Sequence, residues 1–250
     1  MESGLYAACS ALMAHSQALN ILANNLANVN TAGYKGESQF YQALTAANGG
    51  QPLGALNTAV NQFGVLSGQG LNLSSGAIQS TGNPMDVAID GPGFLAAQTP
   101  AGVAYTRAGN LSEGNNGELL TAQGDPVLGD LGKGKIGPIT LPSGTVAISS
   151  DGTISVDGAL VAKLHLVEFA PRTPLQPLGN TYFSAPAGSA HAAVHSSLKT
   201  GSLESSNVNA VQAETDLISL QRHYDLLEQA IRIFNTEFDQ PAAQQLPSLK

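Results

Sequence analysis

Charge is scarce in this chain of 250 residues. Asp, Glu, Lys and Arg make up 11% of it, against roughly 25% in an ordinary soluble domain. The ten basic residues are scattered and the net charge is −8, so no cluster exists to neutralise phosphates. That argues against nucleic acid and against an anionic membrane surface as partners. Cysteine is nearly absent: Cys9 stands alone, which rules out an internal disulfide and reads as a small buried hydrophobe. No apolar run reaches the ~18 residues of a membrane-spanning helix. The N-terminus also lacks the basic stretch of a cleavable secretory signal.

Catalytic patterns are missing as well. The segment "GDLGKGKIGP" places Gly132, Gly134 and Gly137 in a G-x-G-x-x-G spacing and comes close to a phosphate-binding loop. However, Ile136 stands where a hydroxyl is required, and Pro138 and Pro142 prevent the following helix whose amides would hold a phosphate. His191 and His195 are four apart, a metal spacing on a helix, but Ala192 replaces the glutamate of a zinc protease and the surrounding Ser, Ala, Pro and Gly read as a solvated loop. No G-x-S-x-G elbow is present. Asp86 and Asp90 read as the polar face of a strand, Tyr105 and Arg107 as a surface hydrogen-bonding pair, and His15 as a packed or interfacial imidazole. The expectation is a protein that is not an enzyme and carries no cofactor and no metal.

What the chain does have is apolar pattern: 42% of its residues are hydrophobic, enough for one sizeable core or two small ones. Between Glu2 and Lys35 there is no charge, and a heptad beat runs through Leu5, Leu12, Leu19 and Leu26, followed three residues later by Ala8, His15, Leu22 and Val29. The asparagines of "LANNLANVNTAGYKG" then end the helix, because Asn and Gly accept the left-handed conformation and Asn competes for backbone hydrogen bonds. A second stripe passes through Ala210, Ala213, Leu217, Leu220, Tyr224, Leu227, Ile231, Phe234 and Phe238. Asn209 or Ser206 stands where it needs a cap, and Pro241 is expected to end it.

Between the helices the period changes to two. Met85, Val87 and Ile89 alternate with Asp86, Ala88 and Asp90. Val146, Ile148, Ile154, Val156, Leu160, Ala162, Leu164 and Leu166 alternate around Asp151-Gly152 and Asp157-Gly158. Asp-Gly between alternating runs signals a hairpin. The 28 glycines and 13 prolines fit many turns and short strands. The expected class is therefore α+β. An N-terminal axial helix and its cap occupy 1–44, a connector 45–83, an antiparallel β domain 84–170, a second connector 171–202, a C-terminal axial helix 203–240 and a tail 241–250. The two helices are expected to form a coiled-coil-like pair with the β domain inserted between them in sequence.

These residues also carry a family likeness. "ILANNLANVNTAGYKG", "MDVAIDGPGFLAAQ" with "AYTRAGNLSEGNNGELLTAQGDPVLG", and "GSLESSNVNAVQAETDLISLQRHYDLLEQAIRIFN" resemble, in the right order, the N-terminal, central and C-terminal signatures of the bacterial flagellar rod and hook proteins. The motif positions are Asn24, Asn25, Leu26, Ala27, Asn28, Thr31, Gly33, Tyr34 and Lys35 near one end, and Ser206, Asn207, Val208 and Asn209 near the other. The chain departs from the pattern at His223, where alanine is more usual, and at Tyr34, where phenylalanine is common.

The resemblance implies a structural subunit of the flagellar basal-body rod, proximal or distal, located in the periplasm. It implies export by the flagellar type III apparatus without a cleaved signal. It implies as partners copies of the chain itself, neighbouring rod proteins, and hook and ring proteins. A hook-type subunit, a non-assembling β binding module and a peptidoglycan hydrolase are the alternatives. The expected assembly interface is Leu5, Leu12, Leu19, Leu22, Leu26, Val29, Leu217, Leu220, Tyr224, Leu227, Ile231 and Phe234. A lone helix with few charged pairs is marginal in water, so the two ends are expected to gain order from neighbouring subunits.

Overall fold

The computed structural model describes residues 2–42, 65–132, 134–179 and 181–244. The chain divides into two compact units. One comprises Met1–Ala27, Glu37–Gly70 and Asn209–Lys250, and the other Asn28–Gly36 and Leu71–Val208.

The first unit is built on two helices, α1 (Glu2–Ala27) and α2 (Ala210–Gln244), with a two-stranded ribbon of β1 (Glu37–Gln42) and β2 (Val65–Leu71). α1 packs against both α2 and β1. Its buried stripe is Ala11, Ala14, Ala18, Ile21 and Asn25, in steps of three and four residues. Leu12, His15, Leu19, Leu22 and Leu26 run one position further along and are only half-buried. The expected heptad spacing is thus present, but the seam inside one chain is lined by small side chains, which allow a close approach of two helices. On α2, Ala213 and Leu227 are buried, while Leu217, Leu220, Tyr224 and Ile231 are half-buried. The side chains of Leu5 and Phe234 lie outside the described residues, as do residues 43–64 of the first expected connector and 245–250 of the tail.

Three local expectations need correcting. α1 ends at Ala27, so Val29 belongs to the turn beyond it rather than to the helical stripe. α2 continues past Pro241 to Gln244, the last described residue, although proline removes one amide from the ladder and crowds the carbonyl four residues before it. Both ends of the chain are helical and pack together without a neighbouring subunit. Of the two proposed caps, Asn209 takes the role: its Oδ1 accepts the Gln212 amide at 3.2 Å.

The second unit is antiparallel throughout. One sheet has six strands in the order β15 (Gln176–Gly179), β16 (Tyr182–Ser184), β6 (Gly102–Thr106), β5 (Phe94–Thr99), β14 (Leu166–Phe169) and β17 (Ala190–Ala192). Another has five: β10 (Ile136–Pro138), β9 (Leu128–Asp130), β13 (Ala159–Leu164), β12 (Thr153–Val156) and β11 (Val146–Ile148). Three two-stranded pairs complete it. They join β3 (Ile78–Ser80) to β19 (Ser202–Glu204), β4 (Val87–Asp90) to β18 (Ser197–Thr200), and β7 (Ser112–Glu113) to β8 (Leu119–Leu120). Residues 171–202, which their composition marks as a connector, therefore supply β15, β16, β17 and β18 and the first residue of β19. Proline and serine at strand edges disguise the pairing.

Both Asp-Gly hairpins form. Val146 pairs with Val156 across the first, and Val156 with Ala159 across the second. At the second turn Asp157 and Gly158 have φ of 49° and 83°, the paired left-handed conformation that a two-residue loop between right-twisted strands requires. The main core gathers Val87, Ile89, Leu95, Leu119, Val127, Ile139, Ile154 and Leu198. Ala88 is buried too, so β4 is covered on both faces and only Asp90 among its residues is exposed. Asp86, expected on a polar face, is buried, and its Oδ1 accepts a bond from Asn83 Nδ2 at 3.0 Å. A smaller cluster stacks Phe94 edge-on to Phe169 and Phe183, with Tyr105 against Phe169 at 4.9 Å.

Ile154 is fully buried in the main core. Ile154→Ala should lower the unfolding free energy of this unit by about 2–5 kcal/mol, measured by urea denaturation.

Candidate functional site

A shallow surface hollow of about 200 Å³ is lined by Pro174, Gln176, Ser184, Ala185 and Pro186 and offers no ionisable group. The chemically distinctive place in the second unit is instead buried. Lys35, Arg107 and Glu204 are each about 1% exposed, and burial of three ionised side chains is rare unless they are paired. Lys35 Nζ donates to Glu204 Oε1 at 2.6 Å, and Arg107 Nε donates to Glu204 Oε2 at 2.8 Å. The Gly76 amide also donates to Oε1, at 2.8 Å.

One carboxylate faces two cations, and backbone oxygens take up the remaining positive charge. Lys35 Nζ donates to the Ser74 carbonyl at 2.7 Å. The Arg107 guanidinium donates to the carbonyls of Gly93, Ile89 and Gly91 at 3.1, 3.2 and 2.9 Å. Its carbon also lies 5.5 Å from the centre of the Phe94 ring, on which the cation rests. Burial alone would raise the Glu204 carboxyl, but Arg107, Lys35 and the Gly76 amide outweigh it and hold the group below the usual carboxylate range. Burial draws the Lys35 ammonium down, and its contact with Glu204 limits the fall.

The surrounding backbone is fastened to the same spot. Gly33 N–H donates to the Glu204 carbonyl at 2.8 Å, and Ser205 N–H to the Ala77 carbonyl at 2.8 Å. Gly33 has φ of +70°, and a Cβ there would collide with the backbone of Arg107 and Ala108, so neither the conformation nor the space admits another residue. The Asn207 side chain works in both directions: its Oδ1 accepts the Gly36 amide at 2.8 Å, while its Nδ2 donates to the carbonyls of Asn72 and Ser74 at 2.7 and 3.0 Å. Three stretches distant in sequence, 33–36, 72–76 and 204–207, thereby close on one another around a single acid.

The motif asparagines of the first unit have a similar use. Buried Asn25 donates from Nδ2 to the Glu37 carbonyl at 2.8 Å and accepts the Glu37 amide on Oδ1 at 3.0 Å, so one side chain imitates a strand partner. In the second unit, Asn28 and Thr31 form a turn, with Thr31 Oγ1 donating to Asn28 Oδ1 at 3.1 Å and Tyr34 N–H donating to the Thr31 carbonyl. Tyr34 itself is buried. Ser206 Oγ accepts the Val208 amide at 3.2 Å. Asn24 and Ala27 are exposed helix positions.

The structure thus places Lys35, Gly33 and Asn207 of the motif set together, and adds partners that the pattern did not supply. Arg107, expected in a surface pair with Tyr105, is instead sealed against Glu204; a strand-end arginine carries no sequence mark of burial. Glu204 had a weak signal, as a lone acid in an uncharged run. Lys35 had a stronger one, being the first base after a long stretch without charge. His191 lies in β17 rather than on a helix, so the four-residue spacing to His195 does not create a ligand face. Glu168 binds the His195 and Ser196 stretch through bonds of 2.8 and 2.7 Å. Among the described residues no three His, Cys, Asp or Glu groups come together to hold a metal ion.

Glu204 has an acid–base consequence. Its folded pKa lies below its unfolded value of about 4.3, so the stability it supplies is complete above that pH and is lost as pH falls through the folded value. Glu204→Gln strands two buried cations and should cost about 3–5 kcal/mol. Denaturation curves taken from neutral pH downward should show a smaller loss with acid in the variant than in the parent. Equal acid slopes would exclude Glu204 as the source.

Comparison with known proteins fits this geometry. The family model "Flagella basal body rod protein" matches residues 5–35, "Flagellar hook protein FlgE/F/G D1 domain" matches 88–156, and "Flagellar basal body rod FlgEFG protein C-terminal" matches 199–236. Lys35, Arg107 and Glu204 fall one in each matched stretch. The flagellar basal-body rod protein FlgF of Mesorhizobium japonicum is 34% identical over 230 residues, covering 90% of both chains. FlgG of Bacillus subtilis is 34% identical over 249 residues, covering 90% of this chain and 92% of its own. FlgF of Salmonella typhimurium is 33% identical over 246 residues, covering 90% and 91%.

Proposed function

We propose a role for this chain from the fact that it belongs to the flagellar basal-body rod protein family: it is a structural subunit of the rod, not an enzyme, and it assembles through its two terminal helices into a hollow shaft that transmits torque. The observation that supports assembly is the apolar surface left on the first unit once α1 and α2 have packed. The alanine seam is filled, yet Leu12, Leu19, Leu22, Leu26, Leu217 and Leu220 are only half-buried, and Val211, Ile218 and Leu226 are 73%, 51% and 62% exposed. An isolated soluble subunit gains nothing by leaving so many large side chains in water.

Magnitudes favour a polymer over a pair. Burying the remaining half of a leucine is worth about 1 kcal/mol. Half a dozen such groups therefore supply about as much as the low end of the roughly 4–15 kcal/mol that association costs. A single contact is then weak, and stable order requires several neighbours at once. A head-to-tail contact whose rotation does not close gives that as a helical tube. Coiled-coil-like packing of the terminal helices, with the leucine stripes seated on neighbouring subunits, makes such a tube resist shear, since many packed side chains must leave their sites together. The net charge of −8 keeps unassembled subunits apart.

The likeness of "GDPVLGDLGKGKIGPITLPSG" supports a FlgF-type, proximal place in the rod, with a FlgG-type, distal place as the second reading. Copies of the chain and adjoining rod proteins are then the partners, with hook and ring proteins nearby, in the periplasm after export by the flagellar apparatus without a cleaved signal. Among the described residues no helix is long and apolar enough to cross a membrane.

Leu220→Asp places a charge on the half-buried stripe of α2. Produced in cells lacking the native gene, it should accumulate as a protein whose β unit unfolds at the parental urea concentration, while basal bodies contain about a tenth or less of the normal amount and swimming is lost. A charge with no partner inside a packed interface costs several kcal/mol, enough for this effect. Normal rods and normal swimming would contradict the role given to this face.

A further inference from the structure

Two histidines face each other inside the first unit. His15 of α1 and His223 of α2 have ring centres 6.4 Å apart, with planes inclined by 46°. His15 is half-buried on the helix pair and His223 is exposed, so one imidazole is fixed in the packing while the other stands open to solvent. His15 lies between Leu12 and Leu19 on the half-buried stripe of α1, and the buried Lys35–Glu204–Arg107 cluster uses neither ring.

We propose that His15 and His223 form a clip for a divalent transition-metal ion of the zinc, nickel or copper class, fastening α1 to α2. Imidazole is the side chain these ions share as a ligand. Bonds of about 2.0–2.1 Å place two nitrogens on one ion roughly 3–4 Å apart. With ring centres 6.4 Å apart, nitrogens turned toward each other stand about 4 Å apart, so an ion held between them draws the two rings together. The imidazoles must be neutral to bind, and burial together with the facing His223 already lowers the pKa of His15.

The ligand set decides what kind of ion site this is. The two imidazoles are the proposed ligands, and among the described residues no third His, Cys, Asp or Glu joins them. Such a site is open and exchangeable rather than structural in the four-ligand sense. It spans two helices from opposite ends of the sequence, so an ion that binds the packed pair and not the unfolded chain stabilises the pair by mass action.

The test uses the full-length protein, freed of metal with chelator and held above the imidazole pKa of about 6.5. Nickel and zinc are titrated calorimetrically, and helix melting is followed by circular dichroism with and without ion. One ion per chain and a higher melting midpoint are expected. His223→Ala, at an exposed position, should keep the apo melting curve and remove one of the two ligands, so that one-to-one binding with a raised melting midpoint is lost. His223→Cys should restore zinc binding, and His191→Ala with His195→Ala should leave it unchanged. Copper bound to the parent should show two nitrogen ligands by electron paramagnetic resonance, and fewer after His223→Ala. Binding that survives His223→Ala, that follows His191 and His195 instead, or that leaves the melting midpoint unmoved would overturn the proposal.

Discussion

A single buried carboxylate organises the second unit. Glu204 reaches the ammonium of Lys35 and the guanidinium of Arg107 with its two oxygens, and receives the Gly76 amide besides. None of these groups is tolerable in the interior by itself, since an isolated buried charge costs several kcal/mol. Together they are, provided that backbone carbonyls complete the shell, as those of Ser74, Ile89, Gly91 and Gly93 do. The consequence is that the segment following α1 and the segment preceding α2 are ordered side by side, each fixed by a partner from the other. Gly33, with no side chain to obstruct Arg107 and Ala108, makes the close approach feasible.

The first unit solves a different problem. It carries two apolar surfaces of different rank. Alanines at 11, 14 and 18 form the inner seam, where close backbone approach compensates for small side chains. Leucines one step along the helix remain half-buried, and they are the surface that the proposed assembly would cover. Low charge on α1 keeps that second surface free of groups that would resist burial.

Much of this was legible in the chain. Period-seven and period-two patterns located both helices and the β region, and the Asp-Gly pairs marked two hairpins. The offset of the buried helical stripe was not legible, because hydrophobicity favours leucine over alanine while close packing between two helices favours the reverse. Strands in 171–202 escaped because each is short and built from Pro, Ser, Ala and His, whose pairing depends on the sheet already present. The central cluster escaped for a related reason: Arg107 and Glu204 look like ordinary surface charges until three distant segments meet. Lys35, isolated at the end of an uncharged stretch, gave the clearest hint of a special use, and Glu204 a weaker one.

The account stands on these three segments closing as one cooperative structure, and native-state hydrogen exchange of the full chain tests this most directly. The amides of Gly33, Gly36 and Gly76 each donate into the cluster, to the Glu204 carbonyl, to Asn207 and to the Glu204 carboxylate respectively. They should exchange together, with an opening free energy matching that of core amides such as Val127 and Ile139. Exchange of Gly33 and Gly36 at the rate of an open loop, while the β core stays protected, would contradict it.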